Sequence, residues 1–187
     1  MRWTSVFTYL SAAALVGGVV SELLHWPTGT GWFLLAWTVL LLPVAIGLLS
    51  HPMRAPAWGL FAGFWGVVAV LVLIVLQALD LFGVITAELF GELAPWPVAV
   101  IGIWIIVASG TGFGAAPFPA LFDLLGLLTG AGLIAISIGT WTGNTDVIRA
   151  AGVAAAVAYV MWAFGVCWVF YGIKRSYRRT RSVAPAL

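Results

Sequence analysis

Six stretches of this chain, residues 3–21, 31–49, 55–79, 93–122, 124–145 and 150–173, contain no Asp, Glu, Lys or Arg. Each meets or approaches the ~20 residues that an α-helix needs to cross about 30 Å of hydrocarbon. A transmembrane β-barrel would instead show segments of about ten residues alternating apolar and polar, and none appears. The long run 93–122 is bracketed by Pro95, Pro97, Pro117 and Pro119, which trim it to one span of ordinary length. Composition agrees: of 187 residues, 63% are hydrophobic and 7% charged. A soluble domain carries about 25% charged residues and could not cover its surface with so few. The expected fold is all-α, a polytopic membrane bundle of six helices near 5–24, 31–50, 57–80, 96–116, 120–141 and 148–173. Residues 1–24 are expected to be the first of these helices, since no small-x-small cleavage site precedes Glu22.

Orientation follows from the basic residues. Six spans place both termini on one side, and Arg2, Arg54, Lys174, Arg175, Arg178, Arg179 and Arg181 share it, leaving Arg149 alone opposite. The positive-inside rule reads this as both termini cytoplasmic. The Trp-, Ala- and Gly-rich composition, with one Lys against seven Arg, suggests the plasma (inner) membrane of a bacterium. Five of six acids, Glu22, Asp80, Glu88, Glu92 and Asp146, sort to the outer side. The net charge of +2 is therefore a dipole across the bilayer and no footprint for nucleic acid. The six-helix domain is expected over 1–173, followed by a basic cytoplasmic tail, 174–187, that meets anionic lipid headgroups; each basic residue near such a surface is worth ~1 kcal/mol.

Tryptophans mark the frame. Trp26, Trp32, Trp96 and Trp141 fall at outer ends, and Trp3, Trp58 and Trp168 at inner ends, as an aromatic belt requires. Trp37, Trp65, Trp104 and Trp162 fall inside the spans at unequal depths, which favours packing or lipid contact. A pocket for an apolar ligand would draw on Trp37 and Trp104. Gly59-x-x-x-Gly63, Gly110-x-x-x-Gly114, Gly126-x-x-x-Gly130 and Gly152-x-x-x-Ala156 are spacings that let helices approach closely. They serve a compact bundle, a homo-oligomer or a partner in a membrane complex equally well. No internal repeat suggests an inverted-repeat transporter.

Within the connection 81–95, Phe82, Ile85, Leu89 and Leu93 share a helical face and Glu88 and Glu92 take the other, predicting a short amphipathic helix in the outer interface. The inner turn 109–119 is Gly- and Pro-rich and uncharged, but it lacks the Lys and the strand-to-helix context of a phosphate loop.

Two carboxylates lack a local reason for their place. Glu22 and His25 stand three residues apart at the end of the first helix, and Gln77 and Asp80 repeat that spacing at the end of the third. Helix C-termini favour cations, so His25 fits there while Glu22 and Asp80 do not. Either these groups are a solvated rim, or Glu22, His25, Gln77, Asp80, Glu88 and Glu92 converge at the outer mouth. One histidine is too few for a catalytic metal, and His25 and His51 lie on opposite faces, which disfavours haem. No cofactor is expected. Tyr9, Ser109, Thr111 and Thr129 can face one another in the inner half, although membrane-helix hydroxyls usually bond their own backbone. The expected function is non-enzymatic, a carrier of an apolar solute or an accessory subunit. The alternative is an enzyme on a lipid or isoprenoid, with Glu22, Asp80 and His25 catalytic and Gln77, Glu88, Glu92, Trp37 and Trp104 binding.

Overall fold

The structure, a computed structural model, describes residues 2–49, 56–111 and 120–183. Seven helices follow in order among them: α1 (Arg2–Leu23), α2 (Pro27–Leu49), α3 (Pro56–Leu81), α4 (Ala87–Leu93), α5 (Pro95–Thr111), α6 (Ala120–Thr142) and α7 (Thr145–Val183). Six spans are long and apolar enough to cross a membrane, and the fourth takes α4 together with α5. Each long helix packs antiparallel on the next, α1 on α2, α2 on α3, α3 on α5, α5 on α6 and α6 on α7. Contact between α1 and α7 closes the ring. The turns after α1, α3 and α6 therefore share one end, which holds five of the six acids, and the start of α1 and the end of α7 lie toward the other.

Those three helices stop in the same way. After α1, the Trp26 amide donates to the Ser21 carbonyl at 2.9 Å and the His25 amide to the Glu22 carbonyl at 3.0 Å. After α3, Val84 donates to Leu79 at 2.8 Å and Gly83 to Asp80 at 2.9 Å; after α6, Asn144 donates to Gly139 at 2.8 Å and Gly143 to Thr140 at 3.2 Å. These are Schellman closures, which place one residue in the left-handed region. That residue is Gly83 (φ 68°), Gly143 (φ 67°) and, alone among the described non-glycines, His25 (φ 53°). A side chain there is strained, by roughly 1–2 kcal/mol when it is neither Asn nor Asp. His25→Gly should therefore stabilise the protein by about 0.5–1 kcal/mol, part of the relief being offset by the looser unfolded chain. Thermal melting in mild detergent reads this, and an unchanged or lower midpoint would mean that the imidazole makes a contact worth more than the strain.

Helix starts differ from the sequence expectation by three residues or more in three places, the first being α1, which begins at Arg2 rather than 5. The second helix begins at Pro27 rather than near 31, because Pro at the first helical position has its φ preset and no amide to satisfy. The last begins at Thr145 rather than 148, with the Asn144 side chain accepting from the Val147 amide at 3.1 Å. It also runs without a break through Val183, across the expected start of the tail at 174. Residues 184–187 and the inner turn 112–119 lie outside the described residues.

A short helix does form in 81–95, but its bounds are narrower than the predicted face. Thr86 caps α4, its hydroxyl accepting from the Leu89 amide at 3.2 Å. Phe82 and Ile85 precede α4, in the turn that closes α3. Phe90, rather than Leu89 or Leu93, is its side chain packed toward the core. Ala94 alone separates α4 from α5.

Glycine sets the helix spacing where the ring is tightest. A Cβ on Gly102 of α5 would lie 2.7 Å from the Gly130 carbonyl oxygen of α6, and a Cβ on Gly130 would meet the Gly102 carbonyl in turn. On the next interface, a Cβ on Gly132 would lie 2.6 Å from Ala155 Cβ of α7. Of the four sequence spacings, Gly126-x-x-x-Gly130 faces neighbours at both positions. Gly63 packs under Leu49, whereas Gly110 and Gly152 have nothing within 4 Å among the described residues.

Candidate functional site

The rim is placed first, because sequence pointed there. Glu22, His25, Glu88 and Glu92 are exposed and Asp80 is half-buried. The Glu22 carboxylate accepts from the Thr30 hydroxyl at 3.4 Å, across the three-residue turn into α2. Among the described residues, no three of His, Cys, Asp and Glu gather closely enough to hold a metal ion. Gln77 behaves differently from its neighbour Asp80. It is buried, and its carbonyl oxygen accepts from the Thr38 hydroxyl of α2 at 2.6 Å. That bond ties α2 to α3 and satisfies a group that would otherwise cost about 1–3 kcal/mol in an apolar interior.

Deeper in the ring lies a second set, which combines large aromatics with hydroxyls. Trp37, Trp104, Tyr159 and Trp162 are each at most 5% exposed. Tyr159 of α7 shares a 2.8 Å hydrogen bond with Ser11 of α1. Its ring meets Trp37 of α2 edge-on, with centroids 5.9 Å apart, and lies 5.8 Å from Trp162 one turn further along α7. Trp162 reaches across to α6: a Cβ on Gly126 would stand 2.8 Å from Trp162 Nε1 and would collide with Ser109 Oγ, which approaches from α5. Trp104 lies over Gly66 of α3, close enough that a Cβ there would clash with its indole. Four of the six long helices thus place a large ring or a hydroxyl in one buried cluster, and α3 and α6 contribute the glycines that make room for it.

The polar atoms of this cluster are unequally served. Ser11 and Tyr159 serve each other, while Thr8, Thr129 and Ser137 return hydrogen bonds to carbonyls four residues back, as hydroxyls on membrane helices do. Trp104 Nε1, Trp162 Nε1 and Ser109 Oγ are buried with no hydrogen-bond partner among the described residues. Trp37 Nε1 lies beside the Tyr159 hydroxyl but outside hydrogen-bonding geometry. Orphaned donors are rare in folded interiors and each costs about 1–3 kcal/mol. Among the described residues the fully buried polar side chains are Ser, Thr and Gln77, and one carboxylate oxygen of half-buried Asp123, three residues before Gly126, is enclosed as well.

Two of the four hydroxyls expected to face one another in the inner half separate here. Thr129 bonds its own backbone at Leu125, and Tyr9 is 41% exposed with its ring against Phe164. Only Ser109 points its oxygen into the interior without a partner; the side chain of Thr111 lies outside the described residues. Trp37 and Trp104, the sequence candidates for a ligand pocket, both join the cluster. Trp162 stood in the sequence only as one of four mid-span rings and Gly126 only as a packing spacing, Tyr159 was not singled out, and periodicity offered no signal for any of them on helices apolar all round.

No protein-family model, no curated protein and no solved structure matches this chain. Function therefore has to be argued from the two sites themselves. One is a ring of exposed acids without mutual contacts, and the other is an uncharged aromatic interior with unused donors.

Proposed function

We propose that this chain is a non-enzymatic membrane protein that holds an apolar solute inside its helix bundle. The observation that carries the reading is the set of buried, unpartnered donors on Trp104, Trp162 and Ser109 among aromatic rings. Ligand sites combine apolar and aromatic walls with a few convergent polar groups, and this interior has that composition. An ion or proton pathway would draw on ionisable groups within the spans. Among the described residues no Asp, Glu, Lys or Arg lies at mid-span; the buried ionisable groups are Tyr159, Cys167 and one carboxylate oxygen of Asp123 near the start of α6, which favours a neutral solute. Catalysis at the rim draws less support, since Glu22 and His25 stand in the open and share no hydrogen bond with Asp80. The protein purified in mild detergent should carry one apolar, oxygen-bearing compound near one per chain, read by mass spectrometry of the extract. Bulk lipid in membrane proportions would overturn the binding reading. A stoichiometric partner chain in place of a small molecule would make the protein an accessory subunit instead.

The same proposal includes a bacterial plasma membrane with both termini cytoplasmic. Its support is the seven-to-one division of basic residues. The helical extension of α7 through Val183 carries five of these residues past the apolar span, in position to meet anionic headgroups. In intact cells an impermeant thiol reagent should modify Glu88→Cys and spare Ser182→Cys. The reverse pattern would invert the orientation.

A further inference from the structure

We infer that the interior site selects its solute through a carbonyl-type oxygen, received between Trp162 Nε1 of α7 and Ser109 Oγ of α5 at the bare face of Gly126. The inference rests on the binding reading above and adds the chemical class. An indole N–H can only donate and a serine hydroxyl has one proton to give. Both approach Gly126 of α6, whose missing Cβ leaves the place that the Ser109 side chain takes up beside the Trp162 indole. A carbonyl oxygen carries two lone pairs, so a ketone, quinone or ester oxygen accepts from both donors at once. A hydrocarbon leaves both unsatisfied. A carboxylate or phosphate would enter a region with no buried cation among the described residues, and desolvation would exclude it. The aromatic surfaces of Tyr159 and Trp162 then hold the apolar body of the ligand. Trp162 is fully buried and Ser109 is 2% exposed, so water does not compete freely for either donor.

The test uses the full-length protein in liposomes and two probes of matched length and quencher, 11-bromo-2-undecanone and 1-bromoundecane. Bromine quenches tryptophan on contact. Exposed rings such as Trp58 and Trp65 are quenched in proportion to probe content, whereas a bound probe adds a saturable component. Expressing content as mole fraction in the membrane removes differences in partitioning. The ketone should saturate at a mole fraction about tenfold lower than the alkane, the factor expected for hydrogen bonds that the alkane cannot make. In Ser109→Ala, which removes one oxygen and leaves every tryptophan in place, that ratio should fall severalfold. Trp162→Phe should lower it too, with folding of both variants checked by melting. Equal saturation by the two probes would overturn the carbonyl inference and leave the binding reading standing. A saturable ratio unchanged in both variants would overturn these two donors. Absence of any saturable component would overturn the binding reading and this inference together.

Discussion

Gly130→Val should leave little folded protein. The α5–α6 crossing brings two backbones together at Gly102 and Gly130, each of which would drive a Cβ into the carbonyl of the other. A Cβ on Gly130 would also lie 2.6 Å from the Ile106 side chain and 3.2 Å from the Ile106 amide nitrogen. Overpacking a core ordinarily costs about 1–3 kcal/mol, because side chains can rotate or shift. Here the obstacle is backbone on both sides, so valine should exceed that range and reach about 4 kcal/mol or more. The helices would have to separate, and separation removes the contacts that hold a membrane bundle, where lipid supplies no hydrophobic drive for association. Gly110→Val and Gly152→Val are the controls. Neither glycine has anything within 4 Å among the described residues, so both should melt within about 0.5 kcal/mol of the parent, as surface substitutions do. If all three variants fold alike, the α5–α6 crossing is not where the helices meet.

That contrast also marks what could be read from sequence. Charge-free runs located six helices because a bilayer imposes a length on each, and the acidic and basic ends followed from counting. Gly-x-x-x-Gly spacing could not be resolved further, since it reports an opportunity for close approach without naming the neighbour. Gly126 and Gly130 use theirs; Gly110, at the same spacing from Gly114, does not. Helices apolar on every side lack the one-sided pattern that reveals which face is inside. The same degeneracy hid the difference between Trp162, buried, and Trp65, 47% exposed on α3. Both sit mid-span and both read as packing or lipid contact.

His25 shows a second limit. Its place at a helix C-terminus has a dipole explanation available from sequence, and that explanation is sound as far as it goes. The structure adds that the residue closes a Schellman motif in a conformation the other two turns give to glycine. Sequence suggests such turns when glycine is present. A histidine in that role leaves no mark that distinguishes it from a ligand or a base.

Trp162→Ala should be the most damaging single change in the ring interior after the glycine crossing. The indole is fully buried and lies between Tyr159, Ser109 and the bare face of Gly126, so truncation opens a void that no single neighbour can fill. Large-to-small changes of this kind cost about 3–5 kcal/mol, with the higher values where the surroundings cannot collapse. Collapse is restrained here, because Tyr159 is tied to Ser11 of α1 and Ser109 belongs to the helix fixed at Gly102. Trp65→Ala removes the same atoms from a ring that contacts Phe61 and Phe64 on an exposed face, where acyl chains can take its place. It should cost less than about 1 kcal/mol. Melting of the two variants side by side in one lipid mixture separates packing within the bundle from contact with lipid. Equal losses would place Trp162 at the periphery, and the interior cluster with its unpartnered donors would then no longer be a site.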